Sequence, residues 1–405
     1  MWQQWMAGLN RTIYVLGLTS LFTDVSTEML VPIRFIFLVR WLGTPLAIAA
    51  LIEGLAESAS SLLKVAVGRR ADRVKRRTPM LLCGYSLSNL AKPAIGFVLT
   101  WQPAMVLLLL DRIGKAIRVA PRDAMIADSA PAAQRGKAFG FHRAMDTLGA
   151  ACGPLITVMI LELAHGDMSA VFRWTIIPGL LAVLVILLFL REPRHRAAAD
   201  EQAMQAPDIG AMVTTPLGHR FWVFTAIWTL FSLGNSSDAF IFLRSLDLDA
   251  TLVRVPLYYA GLNAIYALFA MPLGALTDRI GRLPLLIFSC AIFAAVYTGW
   301  GLARHPWQLA VLFLLYGLYY AATEGVARAY VVDLIPAGRR GSALGWFLAL
   351  TGLAALPANL LASYLWTHVS QSAPFFYGAM LAGIAAGLLW ATQTWRGATV
   401  RESTS

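Results

Sequence analysis

Four charged residues stand at helical spacing within an apolar stretch: Asp111, Lys115, Arg118 and Arg122, in the string D-R-I-G-K-A-I-R-V-A-P-R that follows the run Met105 to Leu110. At about 100° per residue they fall within roughly 60° of one another on one helix face. Unpaired charge in hydrocarbon costs roughly 2.5 to 3.5 kcal/mol per group on insertion scales. The stripe must therefore face acidic partners, a watery cavity, or both. Arg112 lies about 100° round the same helix, and an arginine offers a two-pronged contact to a carboxylate. These five residues are candidate substrate-binding residues, with the cations among them the contacts for an acidic group on a small-molecule substrate.

Other apolar stretches carry acids. Asp24 and Glu28 stand at i and i+4, Glu53 and Glu57 share a stretch with Lys64, and His142, Arg143 and Asp146 share another. With a rise of about 1.5 Å per residue, Asp24, Glu28, Glu57, Lys115 and Asp146 come out at matched depth, roughly 12 to 24 Å from one membrane face. Asp24, Glu28, Glu57 and Asp146 are the candidate proton-coupling groups, because buried carboxyls are tuned by their neighbours. Later stretches add Asp238 after Asn235, and Tyr316, Tyr320 and Glu324. The tyrosines offer ring faces and hydroxyls to a central cavity, with a lipid-facing or core aromatic stripe as the alternative at this spacing. Glu324 has Arg328 at i+4, which makes a local ion pair the alternative.

The elements that position these groups follow from composition. The chain has 405 residues, 58% hydrophobic and only 14% charged, with a mean hydropathy of +0.64. A soluble protein carries nearer a quarter charged residues, so the sequence predicts an all-α membrane protein in a lipid bilayer. Apolar runs and breakers place twelve transmembrane helices at about 12–40, 46–67, 79–99, 103–127, 136–163, 170–190, 220–243, 255–273, 283–303, 307–333, 341–366 and 373–396. The start lacks a cleavage site for a signal peptide, so the first helix is expected to act as its own insertion signal. The net charge of +11 comes from basic residues flanking apolar spans, which speaks for orientation and against nucleic acid. Loops after even-numbered helices hold Arg69, Arg70, Arg73, Lys75, Arg76 and Arg77, then Arg135, Arg194, Arg279, Arg282 and Arg340; opposite loops such as Thr100 to Pro103 hold none. Both termini are therefore expected in the cytoplasm, with the chain in the cell membrane, the inner membrane of a bacterium. Cys83, Cys152 and Cys290 lie in apolar segments without paired spacing and read as small core residues.

Residues 191–219 form the longest polar segment and suit a flexible cytoplasmic linker between a six-helix bundle at 1–190 and another at 220–405. The halves repeat each other. Asp128, Pro131, Arg135, Gly136, Ala138 and Gly140 recur as Asp333, Pro336, Arg340, Gly341, Ala343 and Gly345, and Gly68, Asp72 and Arg73 recur as Gly274, Asp278 and Arg279. The offset stays at 205 or 206 residues. An even number of helices per copy makes this a parallel internal repeat, with a substrate site expected near mid-membrane. The charged groups do not repeat: Asp24, Glu28, Glu53, Glu57, His142 and Asp146 become Thr229, Leu233, Tyr259, Asn263, Phe347 and Thr351. The stripe becomes Tyr316, Tyr320, Thr323 and Ala327. A satisfied network that only fixes packing is the alternative to function, and the repeat argues against it because the second half packs without those charges.

The string Gly68 to Arg77 (G-R-R-A-D-R-V-K-R-R) and its copy Gly274 to Arg282 (G-A-L-T-D-R-I-G-R) resemble the signature between helices 2 and 3 of the major facilitator superfamily. The resemblance covers essentially the whole chain and implies that superfamily's fold. It implies a gate latch built from Gly68, Asp72, Arg73 and Arg77, and from Gly274, Asp278, Arg279 and Arg282. Arg112 sits where the superfamily's helix 4 arginine is usually found. Gly149, Gly153 and Pro154 resemble the start of a motif shared by many of its antiporters, with Leu155, Ile156 and Thr157 replacing the small residues expected next. The stripe itself is similar to a branch of bacterial and archaeal permeases.

These readings converge on a monomeric secondary active transporter that moves a small organic solute by alternating access, coupled to protons, with an amphipathic or anionic solute and export as the leading direction. Uptake of an anionic nutrient or siderophore is the rival reading. A membrane sensor or enzyme on the same scaffold is the rival class. There is no ATP-binding G-x-x-x-x-G-K-S/T string, no H-E-x-x-H and no nucleophile elbow, so neither a cofactor, a metal nor catalysis is expected.

Overall fold

The structure, a computed structural model, describes residues 10–73, 76–130, 135–190, 217–248, 251–336 and 339–402. Among the described residues it is all α-helical. In chain order the helices are α1 Arg11–Glu28, α2 Val31–Ile36, α3 Leu46–Arg73, α4 Thr78–Ile95, α5 Trp101–Asp128, α6 Arg135–Leu163, α7 Met168–Trp174 and α8 Ile176–Phe189. After the polar segment come α9 His219–Gly234, α10 Ala239–Asp247, α11 Arg254–Ile280, α12 Arg282–Leu302, α13 Pro306–Asp333, α14 Arg340–His368 and α15 Ala373–Glu402. A π-helical turn, Phe37–Trp41, extends α2. The expected linker at 191–219 lies outside the described residues up to 216.

These helices make twelve crossings, because α1 with α2, α7 with α8, and α9 with α10 are each one crossing in two pieces. Seven crossings are long and apolar enough for a membrane by length and composition alone. The other five are interrupted, short or charged, and they include the ones that carry Asp24, the α5 stripe and Asp238. The surface fits a lipid solvent: Leu99 is 88% and Met271 84% exposed, with many other large apolar side chains. Cys83 and Cys152 are exposed on it and only Cys290 is buried, which corrects the expectation that all three fill cores.

Three expected boundaries move, each for a local reason. The first crossing is not one helix, because Pro32 at the start of α2 lacks an N–H and the backbone breaks at Met29–Leu30. The seventh breaks at Asn235–Asp238, where Gly234, Asn235, Ser236 and Ser237 favour turn conformations. The motif after the second crossing is not a loop: α3 runs on to Arg73, and its copy runs on to Ile280, where Gly281 at φ +83° ends α11.

By packing, the chain divides into a unit of 1–44 with 59–208 and a unit of 45–58 with 209–405, so the first part of α3 packs in the second unit. Within the first unit α1 packs on α6 and α8, and α4 packs on α5 and α8. Within the second, α9 packs on α14 and α15, and α12 on α13 and α15. These are the same four pairs at the repeat offset. The parallel internal repeat is therefore a repeat of packing as well as of sequence, two six-helix bundles with one plan.

Candidate functional site

The closest helix approach around the charged groups is made by glycine. Gly149 and Gly153 form a small-x-x-x-small face on α6. A Cβ on Gly149 would stand 2.8 Å from the Leu21 carbonyl oxygen and 2.9 Å from the Asp24 Cβ; one on Gly153 would stand 2.7 Å from the Glu28 Cβ. Thus the residues that resemble an antiporter motif press α6 onto α1 at the two helix 1 acids. Pro154 is buried in the same helix. Thr157, where the motif departs, donates its hydroxyl to the Met29 carbonyl at 2.7 Å and so satisfies an oxygen freed by the break after α1.

Asp24 and Asp146 face the α5 stripe from α1 and α6. Asp24 is partly exposed and, among the described residues, makes no hydrogen bond or ion pair of its own; Asp146, Arg118, Lys115 and Arg122 all act on it electrostatically. Asp146 accepts a hydrogen bond from the Ser20 hydroxyl and lies 3.4 Å from His142 Nδ1. Arg122 is held by its neighbour Asp123 at 2.9 Å. Lys115 is half-buried and has an interaction of its own, as has Glu28.

Arg118 is different. It is only 3% exposed, its guanidinium carbon sits 4.6 Å over the Tyr85 ring, and its Nε has no hydrogen-bond partner. Among the described residues it forms no ion pair. Gly84 makes room for it, since a Cβ there would meet the Arg118 Cβ at 2.9 Å. A guanidinium resting on a ring face retains its donor edge for an anion.

Asp111, at the other end of the stripe, is built into a local network. It is 5% exposed, accepts from Ser88 at 2.6 Å, and feels Lys92, Arg112 and Arg34. Lys92 is itself buried and donates to Thr27 at 2.9 Å. The stripe of four thus divides by role: Asp111 joins a network with Ser88, Lys92 and Arg34 on α4 and α2, whereas Arg118 rests on a tyrosine ring within electrostatic range of Asp24 and forms no ion pair among the described residues. Lys92 is not among the candidates read from the sequence; it stands four residues after Ser88, so the two share the face of α4 that meets Asp111.

The gate motifs are placed in part. The side chains of Gly68, Asp72 and Arg73 and of Asp278 lie outside the described residues, and Arg279 is exposed near the end of α11. Arg77 forms an ion pair with Asp128, and Arg282 forms one with Asp333 at 2.7 Å. These are the same pair at the repeat offset. Asp128 and Asp333 had been visible as repeat markers, and the constant offset to both arginines was the clue that each ties the start of one helix to the end of another. Gly274 lines a cavity of about 290 Å³ between α11 and α13 with Tyr266, Thr277 and Arg282.

In the second unit Tyr316 is fully buried in an aromatic core with Phe293, Tyr297 and Trp300. Tyr316 thus follows the core reading of the aromatic stripe, and its hydroxyl is what it offers. That hydroxyl and the one on half-buried Tyr320 both reach Asp238. Glu324 accepts from Tyr266 at 2.7 Å and lies 3.5 Å from Arg328, so it is locally engaged. Glu57 is exposed and belongs to the second unit, not to the unit that holds Asp24, Glu28 and Asp146.

The Major Facilitator Superfamily profile matches residues 16–265 and 244–403. An uncharacterized MFS-type transporter of Methanocaldococcus jannaschii is 34% identical over 391 residues, which is 94% of each chain. The multidrug resistance protein MdtG of Enterobacter lignolyticus is 28% identical over 220 residues, 54% of this chain and 51% of the relative. Among solved structures, a D-xylose–proton symporter superposes with a TM-score of 0.71 at 16% identity, covering 94% of this chain and 97% of that one. A duplicated six-helix plan, two copies of the helix 2–3 signature and a full-length relative agree, and the chain belongs to the Major Facilitator Superfamily.

Proposed function

We propose that this transporter is a proton-coupled secondary active carrier of an amphipathic organic solute bearing an acidic group, working by alternating access in the cell membrane with both termini cytoplasmic. The observation that carries the reading is Arg118: a buried guanidinium, stacked on Tyr85, with no ion pair among the described residues. A buried cation without a partner is costly, and an incoming carboxylate supplies that partner. Asp24, lacking a hydrogen bond of its own and standing beside Asp146 and three cations, is suited to take up and release a proton as the local charge changes. Asp146, with Ser20 and His142, is the second member of that proton path.

Export is the favoured direction. It is supported by the Gly149, Gly153 and Pro154 face and by the similarity to a protein named for multidrug resistance. Uptake of an anionic nutrient is the second reading, favoured by the density of cations on α5.

The test uses proteoliposomes and a panel of aromatic monocarboxylates with their neutral amides. Uptake should respond to an imposed pH gradient and favour the acids, and the polarity of the gradient that drives it reports the direction. Reporter fusions after Arg77 and after Trp101 should lie on opposite sides of the membrane. Acids transported no better than their neutral amides, and equally well by wild type and Arg118→Ala, would refute the anion reading.

A further inference from the structure

The second unit holds a carboxylate that the reading above leaves unused. Asp238 stands at the N-cap position of α10, at the break after α9, with no capping bond from its side chain, and is partly exposed. Tyr316 donates to its Oδ1 at 2.9 Å and Tyr320 to its Oδ2 at 2.8 Å. The other charged group that acts on it is Glu53, a second acid. Among the described residues no lysine, arginine or histidine forms an ion pair with it. Asp24 in the first unit, by contrast, has three cations in range.

The surround is aromatic. Tyr319 stacks on Tyr316 with centroids 5.3 Å apart, and Tyr320 meets Tyr316 edge to face at 5.0 Å. Tyr297 is fully buried, and its hydroxyl lies beside Tyr316 and Ser236 without closing a hydrogen bond. The break itself is pinned, because Asn359 of α14 accepts from the Ser237 amide at 2.7 Å. A carboxylate has about four lone-pair positions, and the two phenols occupy one on each oxygen. Each oxygen therefore keeps an acceptor site, fixed in direction by its phenol.

An anchored carboxylate, a second acid, no ion-paired base among the described residues and the half-buried ring of Tyr320 make the complement of an organic cation. Ammonium groups are held by charge-assisted hydrogen bonds to carboxylates and by aromatic faces. We propose that Asp238, oriented by Tyr316 and Tyr320, binds the ammonium group of an organic amine. This goes beyond the anion reading and stands independently of Arg118.

The experiment is calorimetric titration of the full-length protein in detergent at neutral pH with phenethylamine, using 2-phenylethanol as the uncharged control. Wild type should bind the amine saturably and the alcohol far more weakly. Asp238→Asn should weaken amine binding by about tenfold or more, the scale of losing one charge-assisted contact. Tyr320→Phe should weaken it by about threefold, the loss of one orienting hydrogen bond. Arg118→Ala should bind the amine as wild type does. Monodispersity and helical circular dichroism establish that each variant is folded, and Tyr320→Phe carries the test if Asp238→Asn is not. Absent saturable amine binding, equal binding by Asp238→Asn, or equal binding of the alcohol would overturn the proposal. Carboxylate transport that does not depend on Arg118, with amine binding intact, would count against the anion reading alone.

Discussion

The two halves of this transporter solve one packing problem with different chemistry. Each pairs its first helix with its fifth and sixth and its third with its fourth and sixth. In each, a polar side chain from the fifth helix supports a break in the first: Thr157 bonds the Met29 carbonyl, and Asn359 accepts the Ser237 amide. The first half then fills the junction of α1, α5 and α6 with acids and cations, while the second places Thr229, Thr351, Thr323 and Ala327 at the matching positions. The frame therefore does not need the charges. On the proposed reading, what one half holds and its own repeat omits is the part of the chain that serves the solute and the coupling ion.

The sharpest way to break this comparison is to mutate matched positions. Arg118→Ala should raise the apparent KM for an acidic solute by about tenfold or more, since each decade is about 1.4 kcal/mol and a charge-assisted contact is worth at least that. Thr323→Ala, its counterpart, should stay within about twofold, and initial rates in proteoliposomes measure both. Equal effects would make the cluster a packing network.

Next comes helix approach. Gly153→Ala should destabilise by about 1 to 3 kcal/mol, because the added carbon meets α1 backbone and the Glu28 Cβ. The matched Ala358→Gly should cost only about 1 kcal/mol of helix propensity. Melting temperatures in detergent decide between them, and a reversed order would show that the glycines are not set by the contact with α1.

The smallest effect is expected at the two repeated ion pairs. Arg77→Ala and Arg282→Ala each break a partly exposed pair, worth about 0.2 to 1 kcal/mol. Their melting shifts should match each other. A loss in one much larger than in the other would mean that the latch is borne by one half.

How much was legible in the sequence follows from the range of each signal. Apolar runs and a constant offset are properties of the chain, so the crossings and the duplication could be read directly. The stripe on α5 could be read from angle alone, but angle does not reveal partners. Asp111 and Arg118 share a face, yet one meets Ser88 and Lys92 and the other a tyrosine ring. The aromatic spacing of Tyr316 and Tyr320 suited a cavity wall or a core alike, and burial in a core of other aromatics turned Tyr316 into a hydroxyl donor. Breaks at Met29 and Asn235 needed only one proline and a run of turn formers, signals weaker than the hydrophobicity around them. Glu57 was matched to the others by depth, and depth does not say which unit a helix face joins.

The most direct test of the account is proton movement in proteoliposomes loaded with a pH-sensitive dye, on addition of a transported aromatic carboxylate without an imposed gradient. Wild type should show solute-dependent proton flux. Asp24→Asn should exchange labelled for unlabelled solute across the membrane yet move no protons with it, because solute contact at Arg118 survives while the titrating group is gone. Proton flux in Asp24→Asn at the wild-type rate would contradict the assignment of the first-half charge cluster to coupling.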